Sequence, residues 1–338
     1  MSGSNLPDLT QFASALILKP SSLGDIIHTL PAVRCLKRSF PHLSLRWLCN
    51  PEWMPLLEGN PDISEIIPFP RGQFRGPLSM PRLFQWVRSF NHAPRELPEV
   101  ALDFQGLFRS AVLSVLRGAE PVVGLSDARE LAPLLYRHVI PVNAKAHAVD
   151  RYLSMSAAFG ADASPENIEF SLPIGEPVPS GATFPEEFIL LHPFSRGRGK
   201  SLDVESIRSL CECLAPRTVV IAGRMDEPLP LKAPHVISLL NETSLLQLIW
   251  LIRRARAIVS VDSGPMHIAA AIQPERTLGI HTWSDPRRVG PYDPRAWAWK
   301  AGRIAHRQDF SDQDARAKSV LFTSGVRRIA DFVLQTCF

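Results

Sequence analysis

Residues 257–271, AIVSVDSGPMHIAAA, decide the fold. The apolar, β-branched run of Ile258, Val259 and Val261 stops at Asp262-Ser263-Gly264-Pro265, and an Ala-rich amphipathic segment carrying His267 follows. This pattern predicts a buried strand, a tight turn, and a helix with proline near its first position. The first N–H groups of such a helix have no intrahelical partner and carry its positive dipole end, which suits a phosphate. The first half of the chain has a similar device. There Ala15-Leu16-Ile17-Leu18-Lys19 runs into Pro20-Ser21-Ser22-Leu23-Gly24-Asp25 and then the helical IIHTLPAVRCLKRSF. Two such junctions, one per half, predict two domains with a cleft between them.

Each turn also has a purely structural reading. Glycine tolerates a positive φ and aspartate caps helices. Asp25 is therefore either a cap or a carboxylate at the carboxyl end of a parallel strand, where α/β sheets place ligands. In the second case it can take a proton from an acceptor hydroxyl. His28, one turn later, reads as a packed structural histidine rather than a second base.

The bulk properties bound the class. A length of 338 residues predicts two domains, and 45% hydrophobic with 21% charged residues describes a globular protein with sizeable cores. A formal charge of +4 suits an anionic substrate or an acidic membrane surface and is too weak to indicate nucleic acid. Five scattered cysteines (Cys35, Cys49, Cys211, Cys213, Cys337) suggest reduced thiols and a cytoplasmic setting. Cys211 and Cys213 have no matching pair, so no zinc site is expected. The N-terminus MSGSNLPDLTQFA lacks a signal peptide's basic and apolar regions, and no run reaches the ~18 apolar residues of a membrane span. A soluble or at most peripheral protein is expected.

Short apolar runs alternate with helical patterns, the signature of parallel α/β sheets. Strands are expected near 14–19, 43–48, 64–68, 99–103 and 121–124, with helices near 25–39, 80–91, 106–117 and 147–159. In the second half strands are expected near 187–192, 217–222, 235–238, 257–261 and 276–280, with helices near 203–214, 243–256 and 265–272. The Pro/Gly/Ser-rich stretch 171–186 reads as the linker. The domains would then span 1–172 and 187–323, with a final helix, 324–338, packing back on the first. The loop 68–81, with Arg71 and Arg75, reads as too polar for a core and as a mobile substrate loop.

The loop His192-Pro-Phe-Ser-Arg-Gly-Arg-Gly-Lys200-Ser201 invites a P-loop reading, and with it a nucleotide hydrolase using 194–201. That pattern requires glycine where Phe194 stands. A flexible glycine loop with Ser195 and Lys200 can still hold a diphosphate. Arg196 and Arg198 fit a solvated basic loop, but Lys200 at a helix start opposes the dipole and implies a compensating anion. Neither half has a Gly-x-Gly-x-x-Gly after its first strand, which weakens a nicotinamide or flavin oxidoreductase. No acidic pair or His/Asp cluster has metal spacing, so a mechanism without metal or cofactor is favoured. Asp103-Phe-Gln105-Gly106-Leu-Phe-Arg109-Ser110 follows another strand, and Arg109, Arg129, His147 and Arg151 add cations that are either functional or ordinary surface charge.

Lys19-Pro-Ser-Ser-Leu-Gly24-Asp25-Ile-Ile-His-Thr-Leu-Pro31-Ala resembles the opening signature of the family 9 glycosyltransferases, the lipopolysaccharide heptosyltransferases. Asp103-Phe-Gln105-Gly106, His147-Ala-Val-Asp-Arg151, Val261-Asp262-Ser263-Gly264-Pro-Met-His267 and Asp285-Pro-Arg-Arg-Val-Gly290-Pro-Tyr292 resemble family motifs in the same order. The likeness runs from about residue 14 to 300, with Leu202 standing where the family usually has an aromatic residue. It implies a GT-B fold, two Rossmann-like domains facing a central cleft. It also implies inverting, metal-independent transfer of heptose from ADP-heptose to the anionic lipopolysaccharide inner core, at the inner face of the bacterial inner membrane. By match, Asp25 is the base and Lys200 assists catalysis. Ser195, Lys200, Ser263, Gly264 and His267 hold the donor diphosphate, Asp262 meets the donor sugar or orders its turn, and Glu227 and Thr243 lie near the nucleoside. Ser22, Gly24, Gln105, Arg109, Arg129, His147 and Arg151 fall on the acceptor side. A sugar-nucleotide-binding protein without turnover is the alternative.

Overall fold

Strands buried on both faces of a parallel sheet need near-continuous apolar runs, and Ala15 to Leu18 is one, fully buried throughout. A computed structural model describes residues 6–74, 80–90, 98–179, 184–197, 199–318, 320–321 and 323–337 of the chain. Arg75 and Arg198 lie outside the described residues. The chain divides into two compact units, Met1–Pro173 and Ile174–Phe338.

The first unit runs β1 (Ser14–Leu18), α1 (Leu23–Ser39), β2 (Ser44–Cys49), β3 (Glu65–Pro68), α2 (Met80–Phe90), β4 (Glu99–Asp103), α3 (Phe108–Leu116), β5 (Val122–Leu125), β6 (His138–Ile140) and α4 (Ala148–Ala158). Its six-stranded sheet has the order β3-β2-β1-β4-β5-β6 and is parallel throughout. The strand order reverses between β1 and β4, the switch point at which doubly wound sheets bind ligands. Helix α1 packs on α4, where the Ser156 hydroxyl donates to Ala32 O (2.7 Å) and the rings of His28 and His147 meet edge to face (5.1 Å). The packed-histidine reading of His28 agrees with this contact.

The second unit runs β7 (Ile189–His192), α5 (Val204–Leu214), β8 (Val219–Gly223), β9 (Val236–Leu240), α6 (Leu245–Arg254), β10 (Ala257–Val261), α7 (Gly264–Ile272), β11 (Thr277–His281), α8 (Pro286–Val289), β12 (Trp297–Lys300), β13 (Arg303–His306), α9 (Asp312–Arg316) and α10 (Thr323–Cys337). The strand order is β13-β12-β11-β10-β7-β8-β9, parallel except for the β12–β13 hairpin. Here the switch point falls between β7 and β10. The hairpin turn Ala301-Gly302 has positive φ at both residues (51° and 83°), the conformation of tight two-residue hairpins.

One expectation needs correction, and two segments are placed more closely. The final helix packs against α5 in the second unit, with Val326, Ile329, Ala330 and Val333 in that unit's core. Its apolar stripe matches α5, which the sequence could not rank against other faces. The loop after β3 is not too polar for a core: Phe69 and Phe74 are buried, stack on each other (5.3 Å) and flank Trp86 of α2. The stretch read as a linker contains the division between the two units, and its first residues are hydrogen-bonded within each. Asn60 Nδ2 donates to Ser171 O (3.0 Å) in the first unit, and Glu176 N donates to Leu246 O (3.1 Å) in the second. Gly175 (φ +90°) lies so close to α6 that a Cβ there would sit 2.6 Å from Trp250 N.

Candidate active site

In the first unit, the end of β1 delivers Lys19 into the interior. Its ammonium donates to Phe104 O and to the Tyr152 hydroxyl, both at 2.7 Å, and is almost fully buried. Burial works to lower its pKa, but Tyr152, Asp25 and Asp103 together raise it, so it stays charged. Ser22 caps α1, and Asp25 stands at the third helical position. Asp25 Oδ2 accepts from Ser22 N (3.0 Å) and Ser22 Oγ (2.7 Å), a capping arrangement that fixes the carboxylate at the carboxyl end of β1. Gly24 lies in the same first turn.

Asp103, buried at the end of β4, shapes the next loop. It accepts from Gln105 N (2.9 Å), Gly106 N (3.1 Å), Ser110 Oγ (2.8 Å) and Tyr136 OH (2.8 Å). Burial pushes its carboxyl above the ordinary range despite these donors. Gly106 needs its positive φ (65°), and its carbonyl accepts from Arg129 N (2.8 Å). Gln105, Arg109 and Arg129 thereby share one edge of the unit, and both arginines are exposed. His147 and Arg151 are more committed than the sequence suggested. His147 is buried and caps α4, its Nδ1 accepting from Val149 N (3.2 Å). Arg151 is held in an ion pair by Asp127.

In the second unit, the loops after β7 and β10 meet at the switch point. Lys200 Nζ donates to Asp262 Oδ2 (2.6 Å), and the Ser195 hydroxyl donates to Asp262 O (3.2 Å). Burial alone would raise the pKa of Asp262, but His281, Lys200 and His267 bring it below the ordinary value. Burial lowers His281 to about 4, so at neutral pH it is uncharged and the Lys200 ammonium supplies the main attraction. Ser263 is the N-cap of α7, Gly264 and Pro265 open that helix, and His267 is buried one turn in.

Lys200 does not start a helix. Helix α5 begins at Val204, and its N-cap, Asp203, accepts from Ser206 N (2.7 Å). A carboxylate thus occupies the helix end where a P-loop would hold its phosphate, and Phe194 packs against the core above Gly223. The hydrolase reading fails on this geometry. Leu202 is likewise buried in the core. Glu227 is exposed in the loop after β8, and Thr243 precedes the Ser244 cap of α6. Asn241 ties these loops together, donating from its N to Gly223 O (2.8 Å) and from Nδ2 to Met225 O (2.7 Å). Because β7 to β11 are parallel, Ser195, Lys200, Glu227, Thr243, Asp262 and Ser263 all lie at the carboxyl end of the sheet's strands.

Sequence reasoning missed Lys19 and Tyr152 as partners, the Asp262–Lys200 pair, and the His281–Ser284 segment behind it. The signal was present for Lys19, a lysine at the end of a buried strand. A side-chain pair 62 positions apart leaves no local trace.

Two doubly wound units, each with polar groups gathered at its switch point, are the architecture of the GT-B class. Residues 93–319 match the family described as Glycosyltransferase family 9 (heptosyltransferase), and the chain belongs to that family. It is 30% identical over 295 residues to lipopolysaccharide heptosyltransferase 1 of Pseudomonas aeruginosa, covering 82% of this chain and 81% of that protein. Among solved structures, the family 9 glycosyltransferase of Veillonella parvula DSM 2008 aligns with a TM-score of 0.77 at 19% identity, covering 98% of this chain and 99% of that one. E. coli heptosyltransferase WaaC with ADP aligns at 0.72 with 19% identity, covering 96% and 99%. No described helix is long and apolar enough to cross a membrane.

Proposed function

We propose that the chain transfers heptose from ADP-heptose to an anionic acceptor of the lipopolysaccharide inner core, with inversion and without a metal, at the cytoplasmic membrane face. The observation that carries this reading is the Lys200–Asp262 pair beside the N-terminus of α7, at the switch point of the second unit. A lysine and a helix N-terminus together can stabilise the negative charge that develops on a departing β-phosphate. Relatives named for heptose transfer, and one solved with ADP, support the donor class.

The chemistry follows from the residues. Asp25 takes the proton of the acceptor hydroxyl, and that oxygen attacks the anomeric carbon opposite the leaving group. The bond between the anomeric carbon and the β-phosphate oxygen breaks, ADP takes the electron pair, and the configuration inverts. Lys200, Ser195 and the amides around Ser263 and Gly264 hold the diphosphate, and Glu227 and Thr243 lie on the nucleoside side. Arg109, Arg129 and Gln105 meet the acceptor, the arginines at its acidic groups, on a loop fixed by Asp103.

The decisive experiment is a calorimetric titration with ADP, GDP, UDP and ATP, in EDTA and again with Mg²⁺, followed by an ADP-heptose transfer assay on core acceptors. Metal-independent preference for ADP, and transfer that survives EDTA, are expected. Preference for GDP or UDP would replace the donor. Donor binding with no transfer to any core acceptor would favour the sugar-nucleotide-binding alternative.

A further inference from the structure

Trp283 stands half-exposed in the loop after β11, its ring centroid 5.2 Å from Lys200 Nζ. A single surface tryptophan needs no explanation by itself. This one is held unusually firmly through its neighbours. Thr282 Oγ1 donates to Gly199 O (2.9 Å), the fully buried Lys300 donates from Nζ to Thr282 O (3.1 Å), and His281 Nδ1 pairs with Ser284 Oγ (3.0 Å). The backbone on both sides is thus pinned to the glycine loop and to the sheet. The indole itself makes no hydrogen bond among the described residues.

The strand order gives this position a meaning. Along the sheet edge the loops succeed one another from β9 and β8, with Thr243 and Glu227, to β7 with Ser195 and Lys200. Next come β10 with Asp262 and β11 with Trp283. A nucleotide sugar is itself linear: nucleoside, diphosphate, sugar. With the nucleoside on the β8 side and the diphosphate at the β7–β10 junction, the sugar falls on the β11 side.

We propose that Trp283 is the platform on which the donor's sugar ring packs, and so a determinant of donor-sugar specificity. This rests on the donor assignment made above. An indole face offers apolar surface to the C–H groups of a pyranose ring, and its edge and N–H remain available to a hydroxyl. The Lys200 ammonium near the same ring keeps it oriented beside the diphosphate.

The test compares calorimetric Kd values for ADP and for ADP-heptose in the wild-type protein, Trp283→Ala and Trp283→Phe, with acceptor KM measured alongside. Trp283→Ala is expected to weaken ADP-heptose about tenfold and ADP by less than about threefold, with Trp283→Phe close to wild type. Retained ADP binding also shows that the variant is folded. Equal weakening of both ligands would mean that Trp283 acts only by orienting Lys200, and would overturn the proposal. So would unchanged donor affinity with a raised acceptor KM, which would move the ring to the acceptor side. A wild-type protein that binds UDP or GDP in place of ADP would sink the donor assignment itself, and the sugar platform would then fail with it.

Discussion

Lys200 Nζ lies 2.6 Å from Asp262 Oδ2, so the cation best placed to receive a diphosphate is already shared with a buried carboxylate. The isolated lysine expected from the sequence has its compensating anion within the protein. A diphosphate must therefore compete with Asp262 for the ammonium or join it in a three-way arrangement. Asp262→Asn removes the competing charge while keeping the shape. ADP should bind about fivefold tighter to this variant, the worth of ~1 kcal/mol of relieved repulsion. Lys200→Met should weaken ADP about 10- to 100-fold, as loss of a charged hydrogen bond of ~1.5–3 kcal/mol does. Titration calorimetry reads both, and weaker ADP binding by Asp262→Asn would show that the two anions do not compete.

Asp25 is fixed by the Ser22 amide and hydroxyl rather than left to wander, which suits a base that must meet an acceptor at a set position. Asp25→Asn keeps the size and an acceptor oxygen but cannot take the proton. Turnover should fall by about 10²–10⁴ while the Kd for ADP changes little. Parallel loss of donor affinity would assign Asp25 to the cap alone.

Arg109 and Arg129 are exposed and share an edge organised by Asp103 and Gly106, whereas Arg151 is engaged by Asp127. Replacing Arg109 or Arg129 with Gln should raise the KM for a phosphorylated core acceptor several-fold, more at low salt than at high salt, and leave donor affinity unchanged. Arg151→Gln should act differently, lowering thermal stability through the stranded Asp127 carboxylate as well as affecting the acceptor. A thermal-shift series alongside acceptor kinetics separates the two cases.

The parallel strands were legible because each is an apolar run flanked by turn residues, and β4 and β10 fall on the expected positions, 99–103 and 257–261. The hairpin β12–β13 escaped notice because its turn is Ala301-Gly302, without the Asn or Asp that announces such loops. Strand β6, three residues long, carries too little pattern to see. In the site, residues whose roles are local were readable: Asp25 at a cap and Ser263 before a helix. Those defined by long-range contact, such as Lys19 with Tyr152 or Lys300 behind Thr282, were not, because spacing along the chain carries no information about them.

Acid should destabilise the second unit in a defined window. His192 and His281 are buried, and burial lowers each from 6.5 to about 4. For His281, Asp262 pulls upward while His267, Lys300 and Lys200 push down, and burial outweighs them all. A histidine with a depressed folded pKa stays neutral in the native state while its unfolded counterpart takes up a proton. Each therefore contributes stability that is fully present above the unfolded pKa of 6.5 and lost as pH falls toward the folded pKa of about 4. Asp262 works in a lower range, because its folded pKa lies below 3.8 and its contribution is lost only as pH falls through that depressed value. Between pH 6.5 and 4 these two histidines drive the second unit's slope, at most ~1.4 kcal/mol per pH unit each. Urea midpoints measured at pH 7, 6 and 5 should fall steadily for the wild-type protein. His192→Gln and His281→Gln lower the midpoint at pH 7 by removing packed rings, yet each should flatten its dependence on pH. An unchanged slope in both variants would place the acid sensitivity elsewhere.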